Sequence, residues 1–144
     1  MTETFPRQKA ATRNFQLGAP RSFQISESAK FVTFLRSDHG RDAVNSLWVY
    51  DLTKNLERKI ADPKELLTSA EDVPAAEKAR RERMREQTSG ITAYSTDSQG
   101  SKACFALSGL LFVVDLETGI TQELSLNGPI IDPQLSPDGN HIAW

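Results

Sequence analysis

The sequence predicts an all-β chain of repeated four-stranded antiparallel units, interrupted once by a helix. Three observations carry this. One strand-turn-strand pattern recurs at an offset of 64 residues, a second recurs around short polar turns, and a charged stretch between copies has the composition of a helix. Internal repeats take precedence over single elements, because a missed repeat misassigns the whole fold.

In the first pattern, Leu47-Trp48-Val49-Tyr50-Asp51-Leu52-Thr53-Lys54-Asn55-Leu56 aligns with Leu111-Phe112-Val113-Val114-Asp115-Leu116-Glu117-Thr118-Gly119-Ile120. Each copy runs from an aromatic and β-branched strand into Asp-Leu and a polar turn. Asn55 or Gly119 then stands where a positive φ is easiest to adopt, so each copy reads as a β-hairpin. The return strands, Leu56 to Ile60 and Ile120 to Leu124, are polar in the middle, as outer edge strands are.

In the second pattern, Phe23 to Phe34 aligns with Pro133 to Trp144 around Ser26 and Ser136, with a looser copy from Ala93 to Phe105 anchored on Ser95. Pro137 presets the first φ of its turn and Gly139 frees the last. Thr96 to Ser101 reads as a turn two residues longer than its counterparts.

Alternating the two patterns gives four antiparallel strands per unit. Ser95 to Ser136 is 41 residues, within the roughly 40 to 50 of a β-propeller blade. Ser26 to Ser95 is 69, so the first unit carries about 28 extra residues. The expected architecture is a partial β-propeller of about two four-stranded blades plus the start of a third, with one helical insertion. An N-terminal segment occupies 1–19, the first blade 20–61, the charged insertion 62–89, the second blade 90–126 and the opening of a third 127–144.

Within the insertion, Ala75 through Gln87 is rich in helix formers and lacks Gly and Pro. Asp72 and Pro74 suit a helix start, and Thr88-Ser89-Gly90 a stop. Glu77 with Arg81, and Lys78 with Glu82, are opposite charges four apart. Arg80, Arg81, Arg83 and Arg85 read either as an anion- or nucleic-acid-binding patch or as a solvated helical excursion; the interleaved Glu77, Glu82 and Glu86 favour the second, on the rim, with a thin stripe of Ala75, Ala76, Ala79 and Met84.

Composition bounds the function. With 38% hydrophobic and 25% charged residues the chain is globular rather than disordered, and a net charge of -2 supplies no field for nucleic acid or an anionic membrane. No export signal is visible at the start, and no apolar run approaches a membrane span, so a cytoplasmic location is expected. The single cysteine, Cys104, sits in an apolar run and reads as a small buried hydrophobe.

Catalytic and cofactor signatures are absent: there is no G-x-S-x-G turn, phosphate-binding glycine loop or zinc spacing, and hence no catalytic residue, metal or cofactor is expected. His39 reads as a solvated loop residue and His141 as an exposed strand residue. The recurrent Asp51 and Asp115 read as turn caps rather than metal ligands. Arg36 is the candidate site residue. It ends the strand Phe31 to Leu35 at a polar loop, either as a fixed fork for carbonyls or carboxylates in a central cavity or as a solvated arginine.

The combination of Phe34-Leu35-Arg36, Leu47 to Leu52, the helix Glu77 to Arg83 and Ser136-Pro137-Asp138-Gly139 resembles the N-terminal propeller of dipeptidyl-peptidase IV-like members of the prolyl oligopeptidase family, the bacterial type most of all. The resemblance runs from about Phe15 to Trp144. It implies a propeller that gates and binds a peptide substrate, with Arg36 similar in position to an arginine that holds the substrate backbone. It also implies acyl transfer in a C-terminal α/β-hydrolase domain outside this sequence. The alternative is a non-enzymatic propeller serving as a binding scaffold. A chain ending mid-blade would expose apolar faces, so a fragment that is poorly stable or self-associates, a homo-oligomer being one form of this, is expected.

Overall fold

A computed structural model describes residues 3–68 and 70–144. A short helix α1 (Phe5–Ala11) precedes the first sheet, β1 (Arg21–Ile25), β2 (Phe31–Ser37), β3 (Val44–Asp51) and β4 (Leu56–Ala61). The insertion holds α2 (Pro63–Leu66), α3 (Ala75–Arg83) and a two-residue strand β5 (Ser89–Gly90). A second sheet follows, β6 (Ser95–Thr96), β7 (Lys102–Leu107), β8 (Leu110–Asp115) and β9 (Thr121–Leu124), then the pair β10 (Gln134–Leu135) and β11 (Ile142–Ala143). Both large sheets are antiparallel meanders in sequence order, as the repeats require, with β5 added parallel to the start of β3.

The sheets face one another across a largely apolar seam. Period-2 alternation sends Phe31 and Leu35 of β2, and Leu47 and Val49 of β3, toward the second sheet, where Ala103, Phe105, Leu107, Phe112, Val114 and Leu116 meet them. Phe105 and Phe112 stack with centroids 5.6 Å apart. Each such side chain, fully buried, contributes roughly 1.5–3 kcal/mol. Near the inner strands the seam is polar and hydrogen-bonded. The Tyr94 hydroxyl donates to the Ser22 carbonyl (2.6 Å) and lies 3.1 Å from the Thr33 hydroxyl, while Gln24 bridges the Tyr94 carbonyl and the Thr96 hydroxyl. A bulge between Arg21 and Gln24, with Ser22 at φ 55°, turns that carbonyl toward Tyr94. Burial pushes the Tyr94 phenol up to about 12, so it stays neutral.

The three polar turns are one device. Ser26 Oγ accepts the N-H groups of Lys30 and Phe31 (both 3.1 Å), Ser136 Oγ those of Asn140 (3.2 Å) and His141 (2.9 Å). In the middle copy Asp97 Oδ1 does the same for Ser101 (2.8 Å) and Lys102 (2.9 Å). The middle anchor is therefore Asp97, not Ser95, and the middle turn is no longer than the others. Ser95 instead serves the next seam, its Oγ accepting the Leu135 N-H at 3.1 Å. With Asp97 as anchor the repeats stand 71 and 39 residues apart.

Turn stacks on turn. Glu27 N-H donates to the Ser98 carbonyl and Ser98 N-H to the Pro137 carbonyl, each at 3.0 Å. The third residue after each anchor has a positive φ: Ala29 at 52°, Gly100 at 67° and Gly139 at 70°. At Gly100 a Cβ would lie 2.5 Å from Ser26 Cβ, so this turn can approach its neighbour only as glycine.

The Asp-Leu hairpins repeat as faithfully. Asp51 Oδ1 takes the Thr53 hydroxyl (2.6 Å) and the N-H groups of Thr53 and Lys54; Asp115 Oδ1 takes the N-H groups of Glu117 and Thr118 and the Thr118 hydroxyl. Asn55 (φ 51°) and Gly119 (φ 77°) hold the expected left-handed positions. Both aspartates are turn caps.

The insertion departs from expectation in three ways. Its helix ends at Arg83, with Arg85 at φ 52° breaking it, rather than running to Gln87; Ser89–Gly90 is a strand on the first sheet rather than a helix stop; and Pro74 is the N-cap. No residue of α3 is buried, and Met84 is 70% exposed, so the apolar stripe does not hold it. Charge does. Glu77 receives Arg80 through two bonds (2.7 and 2.9 Å) and Arg81 at 2.9 Å; Arg81 also reaches Glu71 (2.8 Å), whose other oxygen accepts the Gly90 N-H (2.9 Å). Burial of Glu77 opposes its charge, but the two guanidinium groups outweigh it and hold the carboxyl below its usual range. The insertion folds over the second sheet, with Asp72 N-H on Ser108 Oγ (3.1 Å) and Pro74 against Gly109.

Three outcomes follow. Ala29→Gly, relieving a left-handed alanine, is expected to stabilise by up to about 1 kcal/mol, and Gly100→Ala to destabilise by about 2 kcal/mol or more, both read from urea melts. The second outcome concerns pH. Asp51 is held at about 2, chiefly by the Thr53 hydroxyl, and Asp138 at about 2, chiefly by the Ser136 hydroxyl. Folded values below the usual 3.8 mean stability that is complete above that range and lost as pH falls toward 2. Asp51→Asn should flatten that acid limb. Third, Arg81→Met should raise amide exchange across 75–83 while leaving β2 and β7 protected.

Candidate functional site

The meander order gives the two ends of the sheets different characters. At one end β1 meets β2, β3 meets β4, β6 meets β7, β8 meets β9 and β10 meets β11, all through short capped turns. At the other end lie residues 3–20, the 38–43 loop, the 62–94 insertion and the 125–133 connection. Long connections on a rigid frame are where binding residues concentrate.

A cavity of about 420 Å³ opens at that end, between the N-terminal segment and the exit of the insertion. Phe15, Leu17 and Pro20 form one wall and Met84 part of the other. Three arginines line it, Arg13, Arg21 and Arg85, together with Asn45, Glu86 and Thr88. Arg21 is positioned by Glu86 (3.1 Å) and by Thr88, whose hydroxyl also accepts from Asn45 Nδ2 (2.8 Å). The Arg21 Nε-H is buried without a hydrogen-bond partner. Burial of Glu86 works against its charge, but bonds from the Thr88 hydroxyl and N-H and from Arg21 outweigh it and hold the carboxyl below its usual range. Among the described residues neither Arg13 nor Arg85 has an ionic partner, so three cations face one carboxylate. Arg13, Phe15 and Arg85 all have positive φ (48°, 61° and 52°), and strained backbone of this kind clusters at binding sites.

Arg36 lies elsewhere. Alternation along β2 puts it on the face of the first sheet opposite the seam, where its guanidinium stacks 4.1 Å from the Trp48 ring and pairs with both oxygens of Glu57 on β4. Phe34 and Lys59 extend the stack, at 5.6 Å from Arg36 and 5.5 Å from Trp48. Lys59 in turn holds Asp38 (2.6 Å) and Asp62 (2.8 Å). Arg36 does not line the cavity, and its charge is already matched.

The histidines take no part: His39 Nδ1 accepts the Arg41 N-H at 3.2 Å, and His141 is exposed. Cys104 is buried, its thiol pushed up to about 11 by burial. Among the described residues no group of three His, Cys, Asp or Glu is placed to hold a metal, and no helix is long and apolar enough to cross a membrane.

The cavity residues were not singled out by the sequence. Arg85 stood in a run of four arginines read as a solvated face; Arg80 and Arg81 have glutamate partners, and of the other two Arg85 lines the cavity and Arg83 does not. Arg13 and Arg21 carry no local signal at all.

Among solved structures, a prolyl endopeptidase described for the role of inter-domain dynamics in catalysis and specificity aligns over 95% of this chain at 13% identity, with a TM-score of 0.58. The tricorn protease aligns over 85% at 18% identity, with a TM-score of 0.50. The regions matched are propeller domains of peptidases. The sheets are propeller blades. The β-propeller domain of the trilobed protease from Pyrococcus furiosus also aligns, over 75% of this chain and 30% of its own, at 15% identity and a TM-score of 0.44. This chain spans 19% of the prolyl endopeptidase and 10% of tricorn. No protein-family model matches the sequence.

Proposed function

We propose that this chain is part of the propeller of a serine peptidase of the prolyl oligopeptidase type, and that it gates and holds a peptide whose cleavage another domain performs. The observation that carries this is the arginine-lined cavity at the end of the blades where the long connections gather. Guanidinium groups donate in a planar fork that matches carbonyl and carboxylate oxygens, and Glu86 and Thr88 keep the Arg21 fork in place. The fold shared with peptidase propellers supports the class of ligand, and the dipeptidyl-peptidase-like features of the sequence support the narrower family.

In this reading Arg85 and Arg13, rather than Arg36, supply the cations without an ionic partner among the described residues. Arg36 is committed to Glu57 and Trp48, and recruiting it would break an ion pair. In this reading the chain contributes binding: the carboxylate and hydroxyl that line the cavity, Glu86 and Thr88, are committed to Arg21 and to each other, and acyl transfer belongs to a hydrolase domain.

Titration of the tripeptide Ala-Pro-Ala into the chain, followed by backbone amide shifts, tests this. Shifts are expected at 13–21 and 84–88, with Arg85→Gln weakening binding about tenfold, equivalent to about 1.4 kcal/mol, and Arg36→Gln leaving it within twofold. Absence of shifts at the cavity, or loss of binding in Arg36→Gln alone, would overturn the assignment.

A further inference from the structure

The wall of the cavity formed by residues 13–20 belongs to a segment fixed at its two ends and strained between them. At one end the Glu3 carboxylate pairs with Arg41 in the loop after β2, an ion pair in which Arg41 is 56% exposed. At the other, Leu17 is buried and the Gly18 N-H donates to Ser37 Oγ at 3.0 Å. A Cβ on Gly18 would lie 3.0 Å from His39 and Gly40 backbone atoms, so this anchor is seated tightly. Between the anchors α1 buries none of its residues.

Arg13, Asn14 and Phe15 then follow one another at φ 48°, 61° and 61°. Left-handed backbone is sterically costly for each residue that carries a Cβ, and three in succession persist only under outside restraint. The restraint is local. Asn14 N-H donates to the Lys9 carbonyl (2.8 Å), Phe15 N-H to Thr12 Oγ1 (3.0 Å), and Gln16 and Leu17 N-H to the Thr12 carbonyl (3.1 and 3.3 Å). The Phe5 and Phe15 rings meet at 5.9 Å, both more than half exposed. No apolar core secures this arrangement.

We propose that α1 and the left-handed turn after it form a hinged strap that opens and closes the arginine-lined cavity, with Glu3 and Arg41 as its latch and the two phenylalanines as its clasp. Arg13 and Phe15 are at once hinge and cavity wall, so release of the latch frees α1 to swing about the left-handed turn and removes one side of the site. An exposed latch is weak and salt-sensitive, which keeps both states within reach. As a device that regulates ligand access, the strap rests on the cavity reading above; as a motion, it does not.

Amide hydrogen exchange on the ligand-free chain tests it. Arg41→Glu is expected to speed exchange of the Asn14, Phe15, Gln16 and Leu17 amides about tenfold while β2 and β7 keep their protection. Charge reversal of the pair, Glu3→Arg with Arg41→Glu, should restore wild-type exchange to within twofold. Asn14→Gly, which relieves the turn without touching latch or clasp, should slow it. Unchanged exchange in Arg41→Glu, or faster exchange spread equally over β2 and β7, would overturn the strap. Failure of Ala-Pro-Ala to bind removes the peptide reading and leaves the strap standing; unchanged exchange does the reverse.

Discussion

One oxygen that accepts two successive N-H groups sets the architecture. At Ser26, Asp97 and Ser136 the same side-chain position closes a four-residue turn, and each turn passes a hydrogen bond to the next or receives one. A strand pair closed in this way presents its apolar face at a fixed height and angle, so Phe31 and Leu35 meet Phe105 and Leu107 without a slip in register. The inner strands fall side by side, and Gln24, Tyr94 and Ser95 satisfy the polar groups that the seam would otherwise bury unpaired.

That frame leaves the two ends of the blades unequal. Capped turns of fixed length exhaust one end. Every long connection must emerge at the other, and there charges act beside a few buried apolar anchors, Leu17, Ile91 and Ile130. Glu71, Glu77, Arg80 and Arg81 clip the insertion to itself and to Gly90; Asp38, Asp42 and Asp62 share Lys59 and Lys64 in a network that ties the loop after β2 to the turn after β4. The cavity lies where two such charge-held segments meet over a strand floor. A rigid floor with polar, strained walls fits a site that must both position a ligand and admit it.

How much of this the sequence disclosed follows from how local each signal is. The hairpins were legible because Asp, Asn and Gly act on their own turn, and the blade order because alternation is a property of single strands. The middle anchor was misread because Ser95 matches Ser26 in residue type, whereas Asp97 matches it in the spacing to the N-H groups that are captured. The helix was legible but its end was not: nothing in Glu82 to Gln87 marks Arg85 as left-handed. Arg36 drew attention from its place at a strand end, yet the partner that neutralises it, Glu57, lies on another strand, and register across two hydrogen-bonded neighbours brings them together. The cavity arginines come from three separate segments, so only the tertiary structure unites them.

In the proposed reading the ligand occupies the arginine-lined cavity rather than the Trp48 face of the first blade. A tripeptide carrying a photoreactive diazirine near its free amino terminus, cross-linked to the protein and mapped by mass spectrometry, decides between them. Labels are expected on residues 13–21 and 84–88, and competition with unlabelled Ala-Pro-Ala should remove them. Labels confined to the neighbourhood of Arg36, Trp48 and Glu57 would contradict the account.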